Sequence, residues 1–92
     1  MDMKDRLGAA IVHAEEEACA MFARVIDESI SSFEKDQCRE TYNAYLQRLW
    51  EIRRCIEEST RLKRQRLNAY LQEVQMGAGR VKEAMQRKLV RS

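Results

Sequence analysis

The fold is decided by residues 3–33, which read MKDRLGAAIVHAEEEACAMFARVIDESISSF. Apolar or small side chains recur there in steps of three and four, which matches the 3.6-residue period of an α-helix. These positions are Met3, Leu7, Ile11, Ala14, Ala18, Phe22, Val25, Ser29 and Phe33. Because the steps are closer to an eleven-residue repeat than to a heptad, we expect a nearly straight helix with a broad apolar face.

The remaining sequence also favours helix, because the 92 residues contain no proline and only three glycines. A heptad pattern over 38–56 predicts a second helix that begins near Asp36, after a break within 31–37. The pattern lapses near Lys63 and resumes at Leu67 in a shifted register. We interpret this lapse as a register shift inside one long helix.

Together these patterns predict an all-α protein, an antiparallel hairpin of two long helices at about 3–33 and 36–76. A short terminal helix, or a continuation of the second helix, is expected at 80–90, after a hinge at Gly77-Ala78-Gly79. We treat 1–92 as a single helical domain, whose broad apolar faces exceed what one hairpin can cover. Oligomerisation is therefore expected to complete a coiled-coil-like bundle.

Charge is distributed unevenly along the chain. Residues 1–34 carry three basic and eight acidic residues, 35–60 carry five of each, and 61–92 carry nine basic and two acidic residues. In an antiparallel hairpin the glutamates at 15–17 would lie near Arg53 and Arg54. Asp2 and Asp5 would likewise lie near Arg64 and Arg66. Opposite charges across the pair favour the antiparallel orientation, although each exposed pair contributes only about 0–1 kcal/mol.

Apolar side chains that a two-helix hairpin leaves uncovered are predicted to form an interface with another chain. Trp50 is the strongest candidate, since it lies off the main heptad seam beside Arg53 and Arg54. The alternative is that Trp50 packs inside the same molecule, against Cys19 and Phe22. The predicted interface comprises Phe22, Ile26, Ile30, Leu46, Trp50, Leu67, Leu71, Val74, Val81 and Met85.

Basic side chains cluster at 61–66, two turns after another basic pair. The predicted basic patch comprises Arg53, Arg54, Arg61, Lys63, Arg64 and Arg66. Such a cluster can bind nucleic-acid phosphates or act as a nuclear import signal. It can equally be a solvated surface that the acidic first helix partly neutralises, and the small overall charge of +2 favours this second interpretation.

No residue pattern indicates a catalytic, cofactor or metal site. His13 is the only histidine, and no set of further ligands at metal-binding spacing accompanies it. Neighbouring glutamates on a helix point about 100° apart and do not converge on a substrate. Cys19, Cys38 and Cys55 are interpreted as reduced thiols that act as small core residues. We therefore expect neither an enzyme nor a protein that binds a small-molecule substrate.

The sequence contains no long apolar run that could act as a signal peptide or cross a membrane. We expect an intracellular, cytoplasmic protein, with the nucleus as the alternative. The leading functional hypothesis is a non-catalytic assembly subunit, a scaffold or adaptor that binds another protein or a second copy through amphipathic helices. Two alternatives are a nucleic-acid-binding protein that uses 61–66 and a small chaperone that shields a helix of its partner.

Overall fold

The computed structural model contains three α-helices: α1 (Met3–Asp27), α2 (Ser32–Glu58) and α3 (Arg64–Arg91). It describes residues 2–28, 30–59 and 61–91, apart from the side chain of Arg91. Ser29 of the expected apolar stripe lies outside these described residues. The all-helical prediction is confirmed, and no strand occurs within the described ranges. The predicted helix boundaries at 3–33, 36–76 and 80–90 are wrong, because the chain turns twice and forms three helices of similar length.

The first turn comes earlier than the sequence analysis placed it. Ser31 is the N-cap of α2, and its hydroxyl accepts a hydrogen bond of 3.2 Å from the backbone N–H of Glu34. A serine followed three residues later by glutamate is the signature of a capping box, so this boundary could be read from the sequence. Asp36, the expected cap, lies inside α2 and accepts a 3.3 Å hydrogen bond from Arg39.

The second turn occupies the region where the heptad pattern lapses. The cap Ser59 follows α2, and the carbonyl oxygen of Lys63 accepts hydrogen bonds from the backbone N–H groups of Arg66 and Leu67 as α3 begins. Lys4 of α1 donates a 3.1 Å hydrogen bond to the carbonyl oxygen of Ser59, which ties the turn to the first helix. The lapse is therefore a turn and not a register shift, because reversal of the chain buries the apolar face of α3.

The core contains two clusters, each with side chains from all three helices. The first cluster contains Leu7, Ile11, Ala14, Leu49, Ile52, Leu67 and Val74. The second contains Met21, Val25, Cys38, Val81 and Met85. The start of α1 thus meets the end of α2 and the start of α3, so α1 runs antiparallel to α2 and parallel to α3. Helices α1 and α2 are antiparallel and α3 covers one side of the pair, so the fold is a three-helix bundle and not the predicted hairpin of two long helices.

Helix α3 continues through the three residues where a hinge was expected. Of the two predicted alternatives, a separate short helix at 80–90 and a continuation, the structure has the continuation. The reason for Gly77 is packing and not weak helix propensity. A Cβ at Gly77 would lie only 2.6 Å from Cε1 of Tyr45 on α2. The missing side chain lets α2 and α3 approach each other. The hydroxyl of Tyr45 then donates a 2.7 Å hydrogen bond to the carbonyl oxygen of Val74.

An exposed ion pair adds a second link between α2 and α3. Arg48 donates to both carboxylate oxygens of Glu73, at 2.6 and 3.0 Å, and also donates to Glu51 at 3.2 Å. The hydrogen bonds from Arg48 hold the pKa of Glu73 below its usual value. Because Arg48 and Glu73 lie on different helices, the pair helps to fix the orientation of α3 against α2.

None of the described helices contains a segment that is both long and apolar enough to span a lipid bilayer.

The apolar residues of α3 pack inside the bundle. Leu71, Val81 and Met85 were predicted to form an interface with another chain. In the structure Leu71, Ala78 and Leu89 pack against the core of the same chain.

Candidate functional site

Two shallow hollows lie one after the other between α1 and α2, and both are lined by these two helices alone. We call the two together the α1–α2 groove. One part of it is lined by Glu15, Glu16, Cys19, Tyr42, Leu46 and Trp50. The other part is lined by Gly8, Ile11, Val12, Arg53, Ile56 and Glu57. Helical periodicity explains this lining, because Gly8, Val12, Glu15 and Cys19 follow one another in steps of four, three and four along one face of α1.

An ion pair crosses the middle of the groove. Arg53 of α2 lies 3.1 Å from a carboxylate oxygen of Glu15 on α1, and each side chain is about one-third exposed. This is the charge opposition that an antiparallel pair of helices predicts. The second predicted set of opposite charges, Asp2 and Asp5 against Arg64 and Arg66, forms no ion pair among the described residues. Asp2 and Arg64 only line the same shallow hollow. Glu15 and Arg53 therefore fix which levels of α1 and α2 face each other.

Aromatic side chains give the groove much of its apolar character. Phe22 of α1 stacks on Tyr42 of α2, with ring centroids 4.7 Å apart and planes 10° from parallel. Burial raises the pKa of Tyr42, and the neighbouring Cys19 thiol raises it further. This stack closes the α1–α2 contact next to the part of the groove that Trp50 lines.

Trp50 is the largest exposed apolar side chain of the groove. Its side chain remains 58% exposed, and the guanidinium carbon of Arg54 lies 5.7 Å from the ring centroid. Trp50 lines the groove together with Cys19, as the intramolecular alternative expected, but more than half of its surface stays open to solvent. An exposed tryptophan beside an arginine has the composition of a binding hot spot.

The residues of the predicted interface fall into three groups. Leu67, Val74, Val81 and Met85 are buried in the core of the same chain, which corrects their assignment to an intermolecular surface. Phe22, Ile30, Leu46 and Leu71 are partly buried against that core. Ile26 and Trp50 are 48% and 58% exposed. The correction follows from the position of α3, which packs on the hairpin instead of extending beyond it.

Several groove residues were not predicted from the sequence, and Val12 is an exposed apolar one. It is 46% exposed and lines the groove, although it does not belong to the apolar stripe recognised on α1. Its signal is the spacing from Gly8 to Val12 to Cys19, which repeats beside the main stripe. This spacing shows a second helical face, but sequence alone does not show which helix edge remains uncovered.

The predicted basic patch also divides in the structure. Arg53 belongs to the groove through its ion pair with Glu15, and Arg54 pairs with Glu58 at 3.3 Å. The other four side chains are exposed in the second turn and the first residues of α3: Arg61, Lys63, Arg64 and Arg66. Arg66 also lies over the ring of Tyr70, 5.9 Å from its centroid.

The remaining titratable groups do not converge on a reaction centre. His13 is exposed and lies 3.1 Å from Glu17, one helical turn away. No group of three or more potential metal ligands occurs among the described residues. Of the thiols only Cys38 is buried, and burial raises its pKa. Cys19 and Cys55 are exposed, which corrects the expectation that all three act as core residues.

Comparisons with protein-family models, curated proteins and solved structures find no match for this chain. The α1–α2 groove therefore has to be interpreted from its own geometry and chemistry.

Proposed function

We propose that this chain is a non-catalytic assembly subunit, a scaffold or adaptor that binds another protein along the α1–α2 groove. The observation that carries the proposal is the exposure of Trp50, at 58%, in a groove that also exposes Val12 at 46%. Tryptophan is enriched at binding hot spots, where burial by a partner gives a large favourable free energy. Burial of the indole ring by a partner would remove a large apolar area from water.

The shape of the groove supports a helical partner. The residues of α1 that line the groove run from Gly8 to Cys19, which is about 17 Å at about 1.5 Å per residue, or three helical turns. An amphipathic helix laid along such a groove inserts apolar side chains at one-turn intervals. The added helix completes a four-helix arrangement with α1, α2 and α3, in which the exposed surface of Trp50 becomes core.

A photo-crosslinking amino acid at Val12 tests the proposal in native cells. Position 12 lies in the groove, and Met76 on α3 provides a matched control because it is exposed to a similar extent, 58% against 46%. We expect a discrete protein adduct from position 12 and little or none from position 76. Equal adduct yields at both positions, or none at position 12, would contradict protein binding in the groove.

A second candidate function is nucleic-acid binding by the basic side chains of the second turn. The favouring observation is that Arg61, Lys63, Arg64 and Arg66 are all exposed within six consecutive residues. The described residues form no salt bridge with any of these four side chains. Four phosphate contacts would give the logarithm of the affinity for duplex DNA a slope of about −3.6 against the logarithm of salt concentration.

A salt titration with labelled duplex DNA and single-stranded RNA distinguishes this candidate from protein binding. Replacing these four basic residues of the protein by glutamine should abolish the salt-dependent binding. Replacing the exposed Arg80 and Lys82 of α3 by glutamine provides a control with charges removed elsewhere. Absence of binding at low salt, or equal loss in both variants, would exclude a specific role for 61–66.

A further inference from the structure

We infer that the occupant of the α1–α2 groove is a second copy of this chain, related to the first by a two-fold axis that runs parallel to the helices. This inference rests on the proposed function, because it names the partner of the same surface. Three features support it: the charges along the two rims of the groove, the levels fixed by Glu15 and Arg53, and the area of the face.

The rim contributed by α1 is acidic. Glu16 lines the groove and is exposed, and its helix face also carries Asp5 and Asp27, each eleven residues away. Eleven residues make three helical turns, so these three carboxylates lie in a row along the outer edge of α1. No salt bridge to any of them is present within the described residues. A partner with basic side chains along this edge would neutralise the row.

The rim contributed by α2 offers these basic side chains. Arg54 lies beside the ring of Trp50, and Arg39 lies on the same helix face, eleven residues before Trp50. Both arginines are paired only with acids of their own helix, Arg39 with Asp36 and Arg54 with Glu58, each at 3.3 Å. Exposed pairs of this kind contribute little, so both guanidinium groups remain able to contact a second carboxylate. Asp36 and Glu57 lie on the same helix face, so this rim carries both signs of charge, and only Arg39 and Arg54 can meet the acidic row of α1.

The orientation of the axis follows from these charges. A two-fold axis parallel to the helices places α1 of one copy on α2 of the other, which brings the acidic rim to the basic rim twice. A two-fold axis perpendicular to the helices would place α1 on α1, with carboxylates facing carboxylates. The first arrangement is favoured because opposite charges meet in it and like charges meet in the second.

The ion pair inside each copy sets the register of this arrangement. Glu15 contacts Arg53 within the chain, and the two helices are antiparallel, so Glu16 and Arg54 lie about 3 Å apart in level on the two rims. A two-fold axis parallel to the helices preserves these levels, and the two long side chains can span this offset. Glu16 therefore faces the partner's Arg54, and Arg54 faces the partner's Glu16, while Trp50 and Val12 are covered between them.

The whole face of α1 and α2 sets the upper limit of the contact area. The molecule measures 47 by 19 by 16 Å, and the 25 residues of α1 span about 37 Å. A contact over this whole face, about 37 Å long and about 19 Å wide, would cover about 700 Å² of each copy, or about 1,400 Å² in total. Specific protein–protein interfaces bury about 1,200–2,000 Å² in total, so a stable dimer has to use the full length of both helices and not the groove alone.

Charge reversal provides the decisive test. Glu16→Arg and Arg54→Glu chains should each dimerise at least tenfold more weakly than the wild type, because each homodimer contains two like-charge contacts. An equimolar mixture should form a heterodimer at wild-type strength, because both of its contacts are again opposite in charge. Sedimentation measures the change from the 10.9 kDa chain to a particle of twice that mass. The control chains Arg80→Glu and Glu83→Arg reverse exposed charges on α3 and should dimerise like the wild type.

Thiol labelling of the unaltered protein gives a second measurement that needs no variant. Cys19 lines the groove, whereas Cys55 is exposed but is not among the groove residues. The alkylation rate of Cys19 should fall at least tenfold as protein concentration rises through the dimerisation range. The rate of Cys55 should remain constant and serves as the internal control.

Several outcomes would overturn the inference. A wild-type chain that remains monomeric at 100 µM, with concentration-independent labelling of Cys19, excludes the second copy. A dimer that the variant mixture does not restore excludes this axis. The photo-crosslink from Val12 separates the two proposals: an adduct with another protein overturns the second copy and supports groove binding, whereas absence of any adduct contradicts both.

Discussion

Tyr45 of α2 fills the notch that Gly77 leaves on α3, where a Cβ would lie 2.6 Å from Cε1 of the tyrosine ring. The tyrosine hydroxyl reaches past this point and donates a 2.7 Å hydrogen bond to the carbonyl oxygen of Val74. The same ring packs against both core clusters. Tyr45 thus couples the two halves of the core at the α2–α3 contact, and the absence of a side chain at position 77 is a packing requirement.

Replacing Gly77 by alanine should cost about 1–3 kcal/mol through overpacking of the new methyl group against Tyr45. The helix-propensity gain of about 1 kcal/mol offsets part of this cost, so the net destabilisation should be about 0–2 kcal/mol. Gly79→Ala is the matched control, since a Cβ there meets nothing within 4 Å, and it should stabilise the helix by up to about 1 kcal/mol. Urea unfolding followed by far-ultraviolet circular dichroism measures both. If both substitutions changed the free energy of unfolding in the same direction, the close contact between position 77 and Tyr45 would be contradicted.

The ionisation of Tyr45 should make the fold sensitive to alkaline pH. Burial, with a smaller contribution from Glu17, raises the pKa of Tyr45 from 10.0 to about 12. A raised folded-state pKa means that the stabilisation is complete below pH 10 and is lost as pH rises through about 12. In a titration by ultraviolet absorbance, Tyr42 and Tyr45 should both ionise later than an ordinary tyrosine, and Tyr45→Phe should remove the phase near pH 12.

Two further measurements check this assignment. At neutral pH, Tyr45→Phe should cost about 1 kcal/mol, because the hydrogen bond to Val74 is lost while the ring is retained. Between pH 10 and 12 the stability of the variant should fall less steeply than that of the wild type. A phase near pH 12 that survives the substitution would assign the raised pKa to another group.

Helical periodicity was sufficient to predict much of this fold. Leu7, Ile11, Ala14, Ala18 and Val25 were expected on the apolar face of the first helix, and all five are buried. The three-helix topology could not be predicted in the same way. A register shift inside a helix and a turn between helices interrupt a heptad pattern alike, and only the burial of α3 against α1 and α2 distinguishes them.

The candidate site was predictable only in part for a related reason. Trp50 and Ile26 were recognised as off-core apolar residues, and both are exposed. Leu67 and Met85 have the same apolar character, but α3 folds back and buries them. Periodicity identifies the apolar faces of each helix, whereas tertiary packing decides which of them remain open.

The N-cap residue of α2, Ser31, gives a local prediction. Ser31→Ala should destabilise the protein by about 1 kcal/mol, because it removes the acceptor of the 3.2 Å hydrogen bond from the backbone N–H of Glu34. Ser32→Ala is the matched control one residue later, where the exposed side chain is not the cap. Thermal unfolding of both variants gives the comparison. Equal melting temperatures would show that the cap contributes no stability.

Leu49 and Trp50 are adjacent in α2 and have opposite surroundings, so their alanine variants separate folding from binding. Leu49 is fully buried, and Leu49→Ala should cost about 2–5 kcal/mol by leaving a cavity in the first core cluster. Trp50 is 58% exposed in the groove, and Trp50→Ala should cost about 1 kcal/mol or less while helicity is retained. The substitution at Trp50 should nevertheless weaken the association of two copies of the chain more than tenfold, because the exposed indole surface is what the second copy would bury. Urea unfolding and sedimentation, measured on the same preparations, give both quantities. If Trp50→Ala lowers the free energy of unfolding as much as Leu49→Ala does and leaves association unchanged, Trp50 stabilises the fold and is not a binding residue.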